Sequence, residues 1–335
     1  MSRTDAAGAW SRVRGGLGRG FALLLLAAVA FALIRYAGAV DWREVGTAVA
    51  GYPPSRLAAA AGLAVASYLL YGAYDLAARR YAGHDLSTGR VLRAALISYA
   101  FNLNLGALIG GIGFRVRMYL RAGVDGAVIA RVVAFSIVSN WLGYAALAGA
   151  LLAFQPGALA EAAGVPAAWL RAAGAAALAL VAGYLAACAG ARQRVLRLRG
   201  HAYRLPSLPL ALAQLGLSSL NWLAISAIVF VLLGAEVAYP VVLGTLLAGA
   251  VFAALVHVPA GLGALEATFL ALLGARIGQE QLIAALLVYR AIYYLAPLLF
   301  AVVAYLGIEA GGLRLARGRQ GGGRAPPVGR AGNGL

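Results

Sequence analysis

The chain has 335 residues, 63% of them hydrophobic and only 12% charged, with a mean hydropathy of +0.84. A soluble domain carries about a quarter charged residues, so this composition excludes an ordinary water-soluble fold and calls for apolar helices in a bilayer. The net charge is +17 and all 28 basic residues are arginine. They stand in short clusters between apolar runs, a pattern of topology determinants facing an anionic leaflet rather than of a nucleic-acid surface.

Eight apolar segments are predicted, at 18–38, 55–78, 91–122, 126–153, 167–190, 208–233, 240–276 and 282–307. None shows the period-two alternation of a membrane barrel strand. The first follows Arg3, Arg12, Arg14 and Arg19 and ends near a cleavage-like Ala-Gly-Ala. It is read as a retained span because it fits the repeat described below. The third runs into Gly110, Gly111 and Gly113 and continues with Arg115, Arg117 and Arg121. Such glycine breaks and charges are tolerated in hydrocarbon where the backbone lines a protein-enclosed or wet cavity. The seventh breaks at Pro259, Gly261 and Gly263, with Glu266 just beyond. After Glu309 the chain is rich in Gly, Pro and Arg, so a membrane domain over 1–310 and a disordered basic tail over 311–335 are expected.

Arginine placement selects a topology. Further clusters lie at Arg79, Arg80, Arg90 and Arg93, at 192–204, and in the tail, whereas the loops 154–166 and 234–239 contain no arginine. Every major cluster falls on one side if the third and seventh segments enter and return, which gives six full spans plus two re-entrant hairpins, with both termini inside. This arrangement repeats at an offset of about 150 residues, between halves at 18–153 and 167–307. Each half then has an odd number of full spans, so the halves run in opposite directions. Inverted repeats with broken helices place their sites near the midplane.

Several residues are candidates for the work. Arg115 offers a planar fork suited to a phosphate or carboxylate, and Glu266 would face it if both hairpin tips reach the midplane. Two readings stand: Arg115 and Glu266 form a structural ion pair, or they bind a lipid headgroup. Arg290 lies deep in the last span and needs a partner, for which Glu266 is the obvious choice; it is also a possible second headgroup contact. Asn102 and Asn104 cannot share one helical face, so one is expected to face a cavity and the other to cap or bridge helices. Asn140 and Asn221 read as interhelical hydrogen-bond groups. Arg117 and Arg121 read as snorkelling anchors, Asp75 as a partner of Arg79 one turn on, and His257 and Cys188 as packing residues.

Other chemistries find no support. Without lysine there is no Walker A loop in this chain, so movement of a substrate would be passive or coupled to an ion gradient. Three histidines and one cysteine give no metal-ligand spacing, and no nucleophile elbow is present. No cofactor, metal or nucleic-acid partner is expected.

The string N-L-N-L-G-A-L-I-G-G-I-G-F-R-x-R, with S-N-W-L-G-Y and H-V-P-A-G-L-G-A-L-E after it, resembles the transmembrane region of the lysylphosphatidylglycerol synthase/flippase family. The likeness is greatest to its stand-alone, YbhN-like inner-membrane branch. The resemblance implies an all-α integral membrane fold in a bacterial inner membrane and handling of an anionic or aminoacylated phospholipid. It does not imply aminoacyl transfer, since only a short tail follows residue 310. Carried over by motif, the implicated positions are Asn102, Asn104, Gly110, Gly111, Arg115, Pro259, Gly261, Gly263 and Glu266. A phospholipid translocase is therefore expected, and the alternative is a lipid-binding scaffold or regulator of a lipid-synthesis enzyme.

Overall fold

The structure, a computed structural model, describes residues 42–190, 195–198, 201–256 and 263–321. The expected first span, His257, Pro259, Gly261 and the end of the tail lie outside the described residues. In chain order the helices are α1 (Trp42–Ala50), α2 (Pro54–Ala82), α3 (Thr88–Leu105), a π-helical turn (Ala107–Gly113), α4 (Phe114–Arg121), α5 (Gly126–Phe154), α6 (Gly157–Ala163) and α7 (Ala167–Gly190). There follow α8 (Leu208–Leu232), α9 (Tyr239–Val256), α10 (Ala264–Leu273), α11 (Gln279–Arg290), a second π-helical turn (Ala291–Leu295) and α12 (Ala296–Gly321). Between α7 and α8 a short antiparallel hairpin pairs β1 (Val195–Leu198) with β2 (His201–Arg204). The protein is an all-α integral membrane protein with this small hairpin at one face.

Among the described residues, six helical stretches are long and apolar enough to cross a bilayer: α2, α5, α7, α8, α9 and the run Gln279–Glu309. Five of them match expected full spans. The sixth, α9, is the first arm of the segment predicted to enter and return. Its 18 residues reach the length of a span, whereas the 10 residues of α10 rise only about 15 Å and cannot cross alone. α12 continues to Gly321, past the boundary drawn at 310.

Local sequence accounts for the helix ends. α2 starts with Pro54, whose missing N–H is no loss in a first turn, and stops at Gly83, which adopts φ 72° and returns its N–H to the Arg79 carbonyl. At the start of α5 the Asp125 carboxylate accepts the Ala127 N–H at 2.8 Å. α5 packs closely on two neighbours through small residues. A Cβ on Gly143 would lie 2.3 Å from Ser218 Oγ in α8, and one on Gly174 of α7 would lie 2.4 Å from the Ala153 backbone. Close backbone approach of this kind drives helix association where hydrophobicity gives no preference.

α2 and α8 are antiparallel neighbours. Tyr81 near the end of α2 donates to the Arg204 carbonyl just before α8, while the Arg56 guanidinium near the start of α2 lies beside Gly234 just after α8. Between them, Ser67 Oγ donates to Asn221 Oδ1 at 2.7 Å. These two residues stand equally far from the starts of their helices.

The third predicted segment folds back on itself. Its reversal is at Gly106 (φ 82°, ψ 169°), a conformation natural only to glycine, and not at Gly110, Gly111 and Gly113 as the sequence suggested. A helix of i→i+5 pitch tolerates consecutive glycines, so 107–113 does not break but widens. Those glycines serve close approach instead: a Cβ on Gly110 would lie 2.1 Å from the Phe101 carbonyl oxygen, and one on Gly111 would meet the Asn102 side chain at 2.6 Å. Phe101 and Phe114 stack across the two arms at 3.8 Å. Both arms reach the same end of α2, since Arg79 donates to Thr88 at the start of α3 and the Tyr119 ring of α4 meets His84 edge-on.

The arginines gather where these ends meet. Arg117 and Arg121 of α4 pair with Glu309 of α12 at 2.9 and 2.6 Å, and Arg131 of α5 donates to the Ala82 carbonyl. Arg117 and Arg121 are thus fastened to α12 rather than snorkelling alone.

Candidate functional site

The hairpin delivers Arg115 to the interior. The returning arm carries Arg115, nine residues beyond Gly106, away from the hairpin tip to the flank of α2. There it is 3% exposed and its Nε lies 3.2 Å from Oδ2 of Asp75, which is fully buried. This contact lacks the alignment of a hydrogen bond. Of the five guanidinium N–H donors, the structure commits one, from Nη2 to Tyr71 Oη at 3.2 Å, and the Tyr71 ring also lies under the cation at 5.6 Å. The carboxylate is better satisfied: Asp75 accepts from Ser136 Oγ at 2.9 Å and from Tyr119 Oη at 3.2 Å. Asp75 is therefore the counter-ion of Arg115. Arg79, its expected partner, turns outward and donates to the Leu86 carbonyl and Thr88.

Arg115 lines a cavity of about 340 Å³ together with Tyr71, Asn102, Ser136, Trp141 and Trp222. Ile137 and Trp141, which are 45% and 48% exposed, stand at its rim. Beside Arg115 an aromatic stack leads to a hydrogen-bonded chain of hydroxyls. Tyr71 stacks on Tyr99 at 3.6 Å, and Tyr99, Tyr293 and Ser67 are linked by oxygen–oxygen contacts of 2.7 Å each. Because the Ser67 proton goes to Asn221, and each hydroxyl has one proton, Tyr293 donates to Ser67 and Tyr99 donates to Tyr293.

The predicted site residues separate into two groups. Arg115, Asn102 and Gly111 line the cavity. Asn104 does not; its amide donates to the Ala100 and Tyr294 carbonyls at 2.8 and 3.3 Å and ties α3 to the second π-helical turn. Glu266 does not meet Arg115 either. Arg290 binds it through Nε and Nη2, and the Gly263 N–H caps the same carboxylate at 3.0 Å. Gly263 holds φ 79° just before α10. Asn221 bridges α2 and α8, while the Asn140 carbonyl accepts from Ser218 and Trp222. Cys188 is a buried free thiol. Among the described residues no group of His, Cys, Asp and Glu is placed to hold a metal.

Sequence reasoning passed over the tyrosines. Tyr68, Tyr71 and Tyr74 recur at helical spacing on α2, and Tyr289 and Tyr293 lie one turn apart. That periodicity was the available signal for an aromatic wall inside the membrane, where interface anchoring explains nothing.

A family profile described as the lysylphosphatidylglycerol synthase TM region matches residues 20–301. The chain belongs to that family. It is 44% identical over 288 residues to "Inner membrane protein YbhN" of Escherichia coli (strain K12), covering 86% of this chain and 91% of that protein. It is also 30% identical over 262 residues to "Uncharacterized protein slr0712" of Synechocystis sp., covering 77% of this chain and 80% of that one. Together with the six apolar helices, these relations make this family member a multi-pass inner-membrane protein.

Proposed function

We propose that this protein moves a phospholipid with an anionic headgroup between leaflets, binding the headgroup in the Arg115 cavity. The observation that carries this reading is a buried guanidinium on a cavity wall with most of its donors uncommitted. A cation kept out of water in this state favours an anionic oxygen ligand, and a phosphodiester matches its planar fork. Asp75 neutralises Arg115 when the cavity is empty, and a phosphate would take over that role as Arg115 turns toward it. Asn102 adds an amide on the same wall. The half-exposed apolar rim at Ile137 and Trp141 suits a lipid whose tails stay in the bilayer.

The reading includes the membrane arrangement. Both hairpins re-enter the membrane, the arginine-bearing face and both termini are cytoplasmic, and the halves form an inverted repeat. The Ser67–Asn221 contact supports that repeat, because equivalent residues of two related helices touch where a pseudo-two-fold axis passes between them. Glu266 and Arg290 hold the second hairpin to α11.

Transfer of headgroup-labelled phosphatidylglycerol in reconstituted liposomes tests the proposal. Wild type accelerates transfer over protein-free vesicles, and Arg115→Ala abolishes the acceleration. Unchanged scrambling with wild type, or full activity in Arg115→Ala, overturns it. Headgroup binding without transfer would assign the protein instead to a scaffold of a lipid-synthesis enzyme.

A further inference from the structure

Away from the central cavity, at the arginine-bearing face, a separate cleft of about 350 Å³ lies between the end of α2, the end of β2 and the start of α8. Arg80 and Arg204 both line it, and no Asp or Glu is among its lining residues. The Tyr81 hydroxyl donates to the Arg204 carbonyl, so the end of α2, which carries Arg80, is tied to the end of β2, which carries Arg204. Two exposed guanidinium groups sharing a cleft repel each other unless an anion sits between them. The start of α8 adds to the positive potential: its N-terminus points its free N–H groups this way, and the Ser207 side chain caps none of them. Behind the arginines the wall is apolar, formed by Leu205, Leu210 and Ala213.

We infer that this cleft is a resident binding site for the phosphate of an anionic phospholipid from the leaflet on the arginine-bearing side. Cationic groups at the mouth and an apolar wall below them match a phosphate above its glycerol and first methylenes, at the depth where α2 leaves the membrane and α8 enters it. Basic clefts between membrane helices recognise lipid headgroups in this way. A free phosphate would satisfy the arginines but leave the apolar wall uncovered. The site is distinct from the Arg115 cavity, and its occupancy does not depend on translocation.

Native mass spectrometry of the purified full-length protein, incubated with equal amounts of phosphatidylglycerol and phosphatidylcholine, tests the assignment. Wild type retains phosphatidylglycerol in preference to phosphatidylcholine. On an Arg115→Gln background, which removes the central headgroup site, Arg80→Gln/Arg204→Gln weakens that retention about 30-fold, from about one kilocalorie per mole for each arginine near an anionic lipid. Arg80→Lys/Arg204→Lys, which keeps both charges, retains the lipid to within severalfold, and Arg115→Gln keeps phosphatidylglycerol at this cleft. The inference is overturned by undiminished phosphatidylglycerol in the Gln pair, by equal retention of phosphatidylcholine, or by a loss in the Lys pair as large as in the Gln pair. Displacement of the lipid by an equal concentration of inorganic phosphate also overturns it, because that outcome identifies a general anion site. Loss of transfer in Arg115→Ala with lipid retained here would show that the two sites stand or fall separately.

Discussion

Asp75–Arg115 and Glu266–Arg290, two of the ion pairs among the described residues, differ more in their surroundings than in their chemistry. In Asp75–Arg115 both side chains are sealed in, at 0% and 3% exposure, whereas in Glu266–Arg290 the carboxylate is 25% exposed. The carboxylate of the first pair is braced by Ser136 and Tyr119, and its guanidinium keeps donors to spare on a cavity wall. In the second pair Arg290 engages the carboxylate through two nitrogens and lies over the Tyr294 ring at 5.4 Å. A guanidinium committed bidentately is a fastening; one with uncommitted donors beside a cavity is free to take an anionic ligand, which is the role proposed for Arg115. The two carboxylate–guanidinium pairs therefore differ in how many arginine donors the carboxylate takes up.

The comparison breaks most visibly at Asp75. Removing it in Asp75→Ala leaves Arg115 buried and uncompensated, and an expected loss of about 3–5 kcal/mol should appear in thermal unfolding of the detergent-purified protein. Asp75→Leu combined with Arg115→Met should recover most of that loss while abolishing lipid transfer, since a buried pair is replaceable for stability but not for binding.

The two hairpins give the next contrast. Gly110→Ala forces a methyl against the Phe101 carbonyl, which is backbone and cannot move aside, so about 1–3 kcal/mol is expected. Gly249→Ala in α9 presses on the end of the Leu265 side chain, at 2.8 Å, with Thr268 at ordinary contact distance, and should cost less than about 1 kcal/mol. Equal losses for the two variants in the same unfolding assay would contradict the close packing of the first hairpin. Smaller than the Gly110→Ala effect is that of Glu266→Gln, which keeps an acceptor for the Gly263 N–H but removes the charge facing Arg290. About 1 kcal/mol is expected at a carboxylate a quarter exposed, and a loss as large as that of Asp75→Ala would erase the distinction between the pairs.

The smallest effect is at His84, in the loop after α2 and outside the spans. Burial, followed by the nearby Arg79 charge, lowers its pKa below the ordinary 6.5. The unfolded chain then binds the proton more readily than the folded one. Stability from this residue is complete above about pH 6.5 and declines as pH falls toward the lowered folded value. His84→Gln should flatten that part of the pH profile, and an unchanged slope would remove His84 from the account.

Some of this architecture was legible because bilayer physics acts on sequence directly. Apolar run length gave the spans, since each must cover the hydrocarbon. Arginine clusters pointed to a common end for Arg79, Arg117 and Arg121, since charge stays out of hydrocarbon, whereas Arg131 joined them only in the structure. Arg290 pointed to Glu266 because a charge deep in a span needs an opposite neighbour, and the structure pairs them. The glycine block marked the first hairpin because consecutive glycines disfavour a plain apolar span, although the turn itself falls at Gly106 and the block serves close packing of the arms.

Only the tertiary structure decided what those features meet. The position of the reversal, at Gly106 rather than at the glycine block, moved Arg115 along the returning arm and away from Glu266. It then met Asp75, whose place on α2 had suggested a local bond to Arg79. A sequence shows that a buried charge needs a partner, because that requirement belongs to the residue itself. Which partner it finds depends on where the chain turns and which helix lies alongside, and those are set by contacts among residues far apart in sequence.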